Sequence, residues 1–182
     1  EGKLKLFQAR SGYRFSLDAL LLAHFMTCRH GEKIVDLGTG NGVIALILAY
    51  LDSSLSITGV ESQLSMIDRA SRNVRLNEFE ARVKITQADV ADIQKTFSPE
   101  SFAAVVCNPP YRRTTSGRIS PNAERKIARH EIAAGLADFL RAAAYLLPTK
   151  GRIALVYPAL RLVDVLHSMR NANLEPKRLR MV

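Results

Sequence analysis

Short, continuously apolar runs alternate with longer segments of helical length through most of this chain, and that alternation leaves few folds open. Residues 34–37, 56–60, 83–87, 102–107 and 152–157 read as strands, and 43–51, 64–76, 131–146 and 160–172 as helices. A run such as Ala103-Ala-Val-Val-Cys107 has no polar face to offer water. It is expected to be covered on both sides, as in a mostly parallel central sheet with helices on both faces. The polar residues that break the pattern fall at the C-terminal ends of the strands, where open α/β sheets take ligands. Residues 177–182 look like the start of a sixth strand, and residues 3–16 like a short strand or hairpin arm. Ser16 is placed to cap a helix over 17–28, with Gly31 in the turn beyond it.

The 182 residues suit one domain, 47% of them hydrophobic and 24% charged. The expected division is an arm and helix over 1–30 packed on a core over 31–182. No apolar run reaches the roughly 18 residues that would suggest a membrane span, so no membrane partner is expected. The chain begins at Glu1 with no export-signal pattern, which favours a cytoplasmic setting, and its two cysteines, Cys28 and Cys107, read as packing residues. They form neither a disulfide framework nor a zinc site, so no metal is expected. A monomer is favoured. The formal charge of +9 comes from 26 Lys and Arg against 17 Asp and Glu, and points to a polyanionic partner such as nucleic acid. Residues 112–122 hold Arg112, Arg113 and Arg118 with a single aliphatic side chain, Ile119, and read as an exposed loop.

The first chemical constellation is Asp36 with Gly38, Gly40 and Gly42. Glycines there permit positive φ and a close approach of ligand to backbone. A dinucleotide fingerprint fits only if it starts at Gly40, with Gly42 third and Ala45 sixth, and it then leaves Asp36 and Gly38 without a role. No Gly-Lys-Ser/Thr follows, which excludes a Walker loop. Glu61 lies 19 residues after Gly42, where a carboxylate accepts from ribose hydroxyls. Asp89, with the Val90 N–H, has the donor and acceptor to read an adenine edge; the alternative is a helix cap.

The second constellation is Asn108-Pro109-Pro110-Tyr111. Paired prolines at a strand end stop the ladder and stiffen the backbone. Asn108 offers a side-chain carbonyl and Pro109 a backbone carbonyl, the two acceptors an exocyclic amine requires. Tyr111 offers a face for stacking on a planar ring. An aromatic amine is a poor nucleophile because its lone pair is delocalised. Two acceptors on its hydrogens favour a tetrahedral nitrogen aimed at an electrophilic methyl, and in-line transfer then depends on alignment and electrostatics.

Asp36-Leu-Gly-Thr-Gly-Asn-Gly42, Glu61 and Asn108-Pro-Pro-Tyr111 together resemble the class I S-adenosylmethionine-dependent amino-methyltransferases, with their Rossmann-like fold. Gln8-Ala-Arg-Ser-Gly-Tyr-Arg-Phe-Ser-Leu-Asp-Ala-Leu-Leu-Leu-Ala23 narrows this, because it is similar to the bacterial adenine-N6 methyltransferases of valine tRNA. The resemblance spans nearly the whole chain. It implies S-adenosylmethionine as cofactor, S-adenosylhomocysteine as product, and tRNA or another structured RNA as partner. It also implies that Asp36, Gly38 and Gly40 surround the methionine part of the cofactor, that Glu61 holds its ribose, and that Asp89 and Val90 hold its adenine. Phe15, Ser16 and Asp18 would close the pocket. Asn108 to Tyr111 would hold the base, with Arg112, Arg113 and Arg118 near its phosphates. Asn108 would border both ligands. Release-factor glutamine methyltransferases and guanine-N2 rRNA methyltransferases share the tetrapeptide and are the alternatives. A binding module without catalysis, or an NAD-dependent oxidoreductase, would leave Asn108 to Tyr111 unexplained. The family's sheet has seven strands against six counted here, so the last strand is expected to be missing from this chain.

Overall fold

The computed structural model describes residues 3–8, 16–109 and 135–182. Five strands form one parallel sheet: β1 (Lys33–Leu37), β2 (Ser56–Glu61), β3 (Val83–Gln87), β4 (Ala104–Cys107) and β5 (Arg152–Leu155), in the order β3-β2-β1-β4-β5. Because the side-chain period of a strand is two, β1 and β4 divide their residues between two apolar layers. Ile34, Ala104 and Val106 face one core, with α1 (Leu17–Phe25) and α2 (Val43–Leu51) over them. Val35, Leu37, Val105 and Cys107 face the other, covered by Phe139, Ala143 and Leu146 of α4 (Leu136–Leu146) and by Ile93. Helix α3 (Leu64–Leu76) adds Val74 to the first core, and α5 (Leu162–Asn171) packs on α4.

Helix α2 is buried from Val43 to Ala49, which explains why its sequence is apolar all round. Helix α1 stops at Phe25 instead of reaching residue 28. The Phe25 and Thr27 carbonyls accept from the guanidiniums of Arg178 and Arg152, which replace a further turn of helix. β4 begins at Ala104 and β5 ends at Leu155, both shorter than the apolar runs that contain them. The segment before α5 opens as a 3-10 turn over Ala159–Arg161.

The expected sixth strand is not formed among the described residues: residues 177–182 pair with no described strand, and Leu179, Met181 and Val182 are exposed. Residues 3–8 are extended, with Leu4 and Leu6 against the first core, but they join no sheet either. Among the described residues no helix is long and apolar enough to cross a membrane.

Candidate functional site

The sheet register brings the two sequence constellations together. Leu37 of β1 lies opposite Cys107 of β4, so the next residues, Gly38 and Asn108, leave neighbouring strands side by side, about 4.8 Å being the usual strand separation. On the other flank Leu37 is opposite Val60 of β2, and Glu61 follows. The three strand ends lie side by side at the C-terminal edge of the sheet.

The turn leaving β1 needs its glycines. Gly38, Gly40 and Gly42 have φ of 69°, 59° and 83°, a region L side chains rarely adopt. Gly42 is also the N-cap of α2. The turn is held by the Thr39 N–H donating to the Val60 carbonyl at 2.9 Å and the Gly40 N–H donating to Glu61 Oε2 at 3.0 Å. Glu61 Oε1 accepts from the Ser62 and Gln63 N–H groups at 2.9 and 3.0 Å. This carboxylate therefore braces the turn, and three backbone donors occupy most of its roughly four acceptor positions.

Asp36 is wholly buried and differs. Its Oδ2 accepts from the Thr39 hydroxyl at 2.6 Å, and its Oδ1 has no partner among the described residues. Burial pushes its pKa up to about 7; the Thr39 hydroxyl and the nearby Ala45 N–H oppose that, and the charge of Glu61 adds to it. Both amide atoms of Asn41, in the same turn, are likewise buried without partners. Unpaired buried polar atoms are costly, and these lie at the end of β1 and in the glycine turn that leaves it. An ammonium suits Asp36 Oδ1, and a group carrying both donor and acceptor suits Asn41. The amino-acid end of S-adenosylmethionine has both.

Asn108 is half-buried and Pro109 buried at the end of β4. Cys107 is fully buried, and its thiol is pushed up by burial and by Asp36, consistent with a packing role. Asp89 is exposed and caps the 3-10 helix Val90–Lys95, its Oδ1 accepting from the Ala91 N–H at 2.9 Å; Val90 is buried. Ser16 occupies the N-cap position of α1 but makes no side-chain cap. Its hydroxyl donates to Asp18 Oδ2 at 2.8 Å, a correction to the capping expectation. Phe15, Pro110, Tyr111, Arg112, Arg113 and Arg118 lie outside the described residues.

Sequence reading missed four supporting positions. Thr39 holds Asp36. Gly59 leaves room for Thr39: a Cβ at Gly59 would stand 2.9 Å from its Cγ2 and Oγ1. Phe139 packs beneath Gly38, 3.1 Å from where a Cβ would be. Asn73 donates to the Asn41 carbonyl at 2.9 Å. A glycine inside a strand was the available signal for Gly59, since it often marks close approach.

The chain is similar to tRNA1(Val) (adenine(37)-N6)-methyltransferases. That of Tolumonas auensis is 30% identical over 152 residues, covering 83% of this chain and 62% of that protein. That of Trichodesmium erythraeum is 34% identical over 155 residues, covering 83% and 63%. The chain thus spans about three-fifths of the length of these curated relatives. Among solved structures, it resembles a SAM-dependent O-methyltransferase of Thermotoga maritima, with a TM-score of 0.64, 18% identity and coverage of 89% of this chain and 52% of that one. It also resembles TrmN of Thermus thermophilus, with a TM-score of 0.60, 23% identity and coverage of 87% and 40%. At these identities the likeness concerns the fold, which is the Rossmann-like one. The family model of the methyltransferase small domain matches residues 16–169, and the chain belongs to that family.

Proposed function

We propose that this protein methylates the N6 amine of an adenine in tRNA, using S-adenosylmethionine, in the cytoplasm. The observation that carries the reading is the register that sets Asn108 beside a glycine turn whose buried Asp36 has an oxygen unpaired among the described residues. S-adenosylmethionine, when bound, supplies an activated methyl group. Asp36 would accept from its ammonium, with Gly38 and Gly40 letting the ligand lie against the backbone. Glu61 would keep the turn in shape and retain limited acceptor capacity for ribose hydroxyls. Asp89 and Val90 follow β3, the neighbour of β2, and would hold the adenine ring, with Ser16 and Asp18 bordering the ligand.

Asn108 and Pro109 supply the chemistry of the target amine. Their two carbonyls accept its two hydrogens, which draws the nitrogen lone pair out of the ring and fixes its direction. Tyr111 and Pro110 would hold the base. Arg112, Arg113 and Arg118 come soon after in sequence and would meet phosphates flanking a flipped nucleotide. The likeness to named tRNA methyltransferases supports the RNA substrate over a glutamine side chain.

The test is transfer of labelled methyl from S-adenosylmethionine to an unmodified tRNA pool, with nucleosides identified by mass spectrometry. The expected product is N6-methyladenosine. Asn108→Ala is expected to slow single-turnover transfer by roughly 10²-fold or more while leaving S-adenosylhomocysteine affinity within a few-fold. Methylation of a release-factor peptide with none of tRNA would overturn the assignment.

A further inference from the structure

The arm over residues 3–8 has the alternation of a β-strand without a strand partner among the described residues. Lys3, Lys5 and Phe7 are exposed, while Leu4, Leu6 and Gln8 are half-buried. Its backbone is paired instead with two asparagine side chains of α3. Asn77 Oδ1 accepts from the Lys5 N–H at 2.9 Å, and Asn77 Nδ2 donates to the Lys5 carbonyl at 2.8 Å. Asn73 repeats this with Phe7: the Phe7 N–H donates to Oδ1 at 2.6 Å, and Nδ2 donates to the Phe7 carbonyl at 3.1 Å. The spacing explains the fit. Residues two apart in an extended chain are about 6.6 Å apart, and residues four apart on a helix about 6 Å. A primary amide carries a donor and an acceptor and so imitates a peptide group of an adjacent strand. The Arg72 guanidinium over the Phe7 ring, 4.9 Å from its centroid, adds a third tie.

The two asparagines are not equivalent. The second contact of Asn77 Nδ2 is the Asn73 carbonyl, within α3. The second contact of Asn73 Nδ2 is the Asn41 carbonyl, in the turn between Gly40 and Gly42. Asn73 has no exposed surface, so water cannot replace either bond without rearrangement. We infer that Asn73 is a positioning residue that links docking of the N-terminal arm to the shape of the glycine turn, so that arm docking and ligand binding at the turn strengthen one another. The ligand half of this rests on the cofactor site proposed above; the link between arm and turn does not. By linkage, whatever one site gains from the other is returned in equal measure.

The experiment measures amide hydrogen exchange at Lys5 and Phe7 and at Thr39, Gly40 and Gly42, with and without S-adenosylhomocysteine, and the affinity for that ligand by calorimetry. The variants are Asn73→Ala, Asn77→Ala and Phe7→Pro. Phe7→Pro removes the arm's N–H and leaves the Asn73–Asn41 bond in place. Without ligand, Asn77→Ala is expected to speed exchange in the arm alone, whereas Asn73→Ala and Phe7→Pro speed it in the turn as well. Ligand should protect Lys5 in the wild type but not in Asn73→Ala. Affinity should fall on the order of ten-fold in Asn73→Ala, within the usual 5–150-fold span of coupled sites. Phe7→Pro should lose several-fold, and Asn77→Ala the least. Turn exchange in Asn73→Ala equal to wild type overturns the inference. So does an unchanged affinity in Phe7→Pro, which decides the matter if Asn73→Ala does not fold. If the wild type binds no S-adenosylhomocysteine, the cofactor reading fails, and the ligand-free exchange of the turn in Phe7→Pro still decides the link: unchanged exchange overturns it.

Discussion

The ends of β1 and β2 each bury a carboxylate, Asp36 with no exposure and Glu61 with 7%, and the surroundings treat the two oppositely. Glu61 is met by three backbone N–H groups, from Gly40, Ser62 and Gln63. Asp36 is met by one hydroxyl, with the Ala45 N–H nearby, and keeps one oxygen unpaired among the described residues. At the β2 end, donors brought together by the fold already satisfy the charge, and the carboxylate works as a brace. At the β1 end the charge is left expensive, and the site gains a group that a cationic ligand would stabilise. Burial alone therefore does not separate a structural carboxylate from a binding one. The inventory of donors does.

The largest expected contrast lies in pH dependence. The folded-state pKa of Asp36, about 7, stands above its ordinary 3.8. Between those values the folded chain holds a proton the unfolded chain has released. The stabilising contribution of Asp36 is thus complete below about pH 4 and is lost as pH rises through about 7, at up to ~1.4 kcal/mol per pH unit. Asp36→Asn is expected to remove that slope, read from urea unfolding at pH 4 to 8 on both proteins. Parallel profiles would mean that the carboxyl is solvated after all.

Removing the brace comes second. Glu61→Ala strands three backbone donors in a nearly closed space, for a loss of about 3 kcal/mol in unfolding free energy. For a chain of this size that corresponds to roughly 6–12 °C in Tm. Glu61→Gln keeps one acceptor and should lose less. A Glu61→Ala protein as stable as wild type would show that water substitutes for the carboxylate there.

Much of this contrast was legible in the sequence, and the illegible part has a physical cause. Parallel strands buried on both faces read as apolar runs, so β1 to β5 and α2 and α3 were recognised, as was the gathering of Asp36, Gly38, Glu61 and Asn108 at one edge. Sequence also marked both Asp36 and Glu61 as polar residues at strand ends, but it could not count their donors, because those come from folding the turn against β2. Residues 3–8 and 177–182 look alike in sequence, basic and apolar residues alternating over Lys3-Leu-Lys-Leu6 and Arg178-Leu-Arg-Met181. The first meets Asn73 and Asn77, which pair its backbone, and Leu4 and Leu6 pack. The second is tied by Arg178, stacked 4.0 Å from the centroid of Phe25, and its apolar side chains stay exposed. Alternation specifies a strand-like segment but not its partner.

The smallest expected effect tests how the β1 end is kept as it is. Thr39 supplies the side-chain hydrogen bond to Asp36, and its side chain lies against Gly59, which is opposite Asp36 in the register. A methyl at Gly59 would stand 2.9 Å from Thr39 and from Ile85 Cδ1. Ile85 is half-buried and meets the methyl only with the far end of its flexible side chain, whereas Thr39 is nearly enclosed and held between Asp36 and the Val60 carbonyl. Gly59→Ala should therefore act through Thr39, costing about 1–2 kcal/mol as overpacking does. Combining it with Thr39→Ala should cost less than the sum of the single changes, by about 0.5–1 kcal/mol, since the truncated side chain no longer meets the methyl. The same displacement weakens the larger of the two interactions that favour the ionised Asp36, so the pH at which its contribution is lost should move upward in Gly59→Ala. Unfolding measured across pH for the two single variants and the double variant reads both effects. Additive costs with an unmoved transition would show that Ile85 absorbs the strain and that Gly59 does not govern the carboxylate.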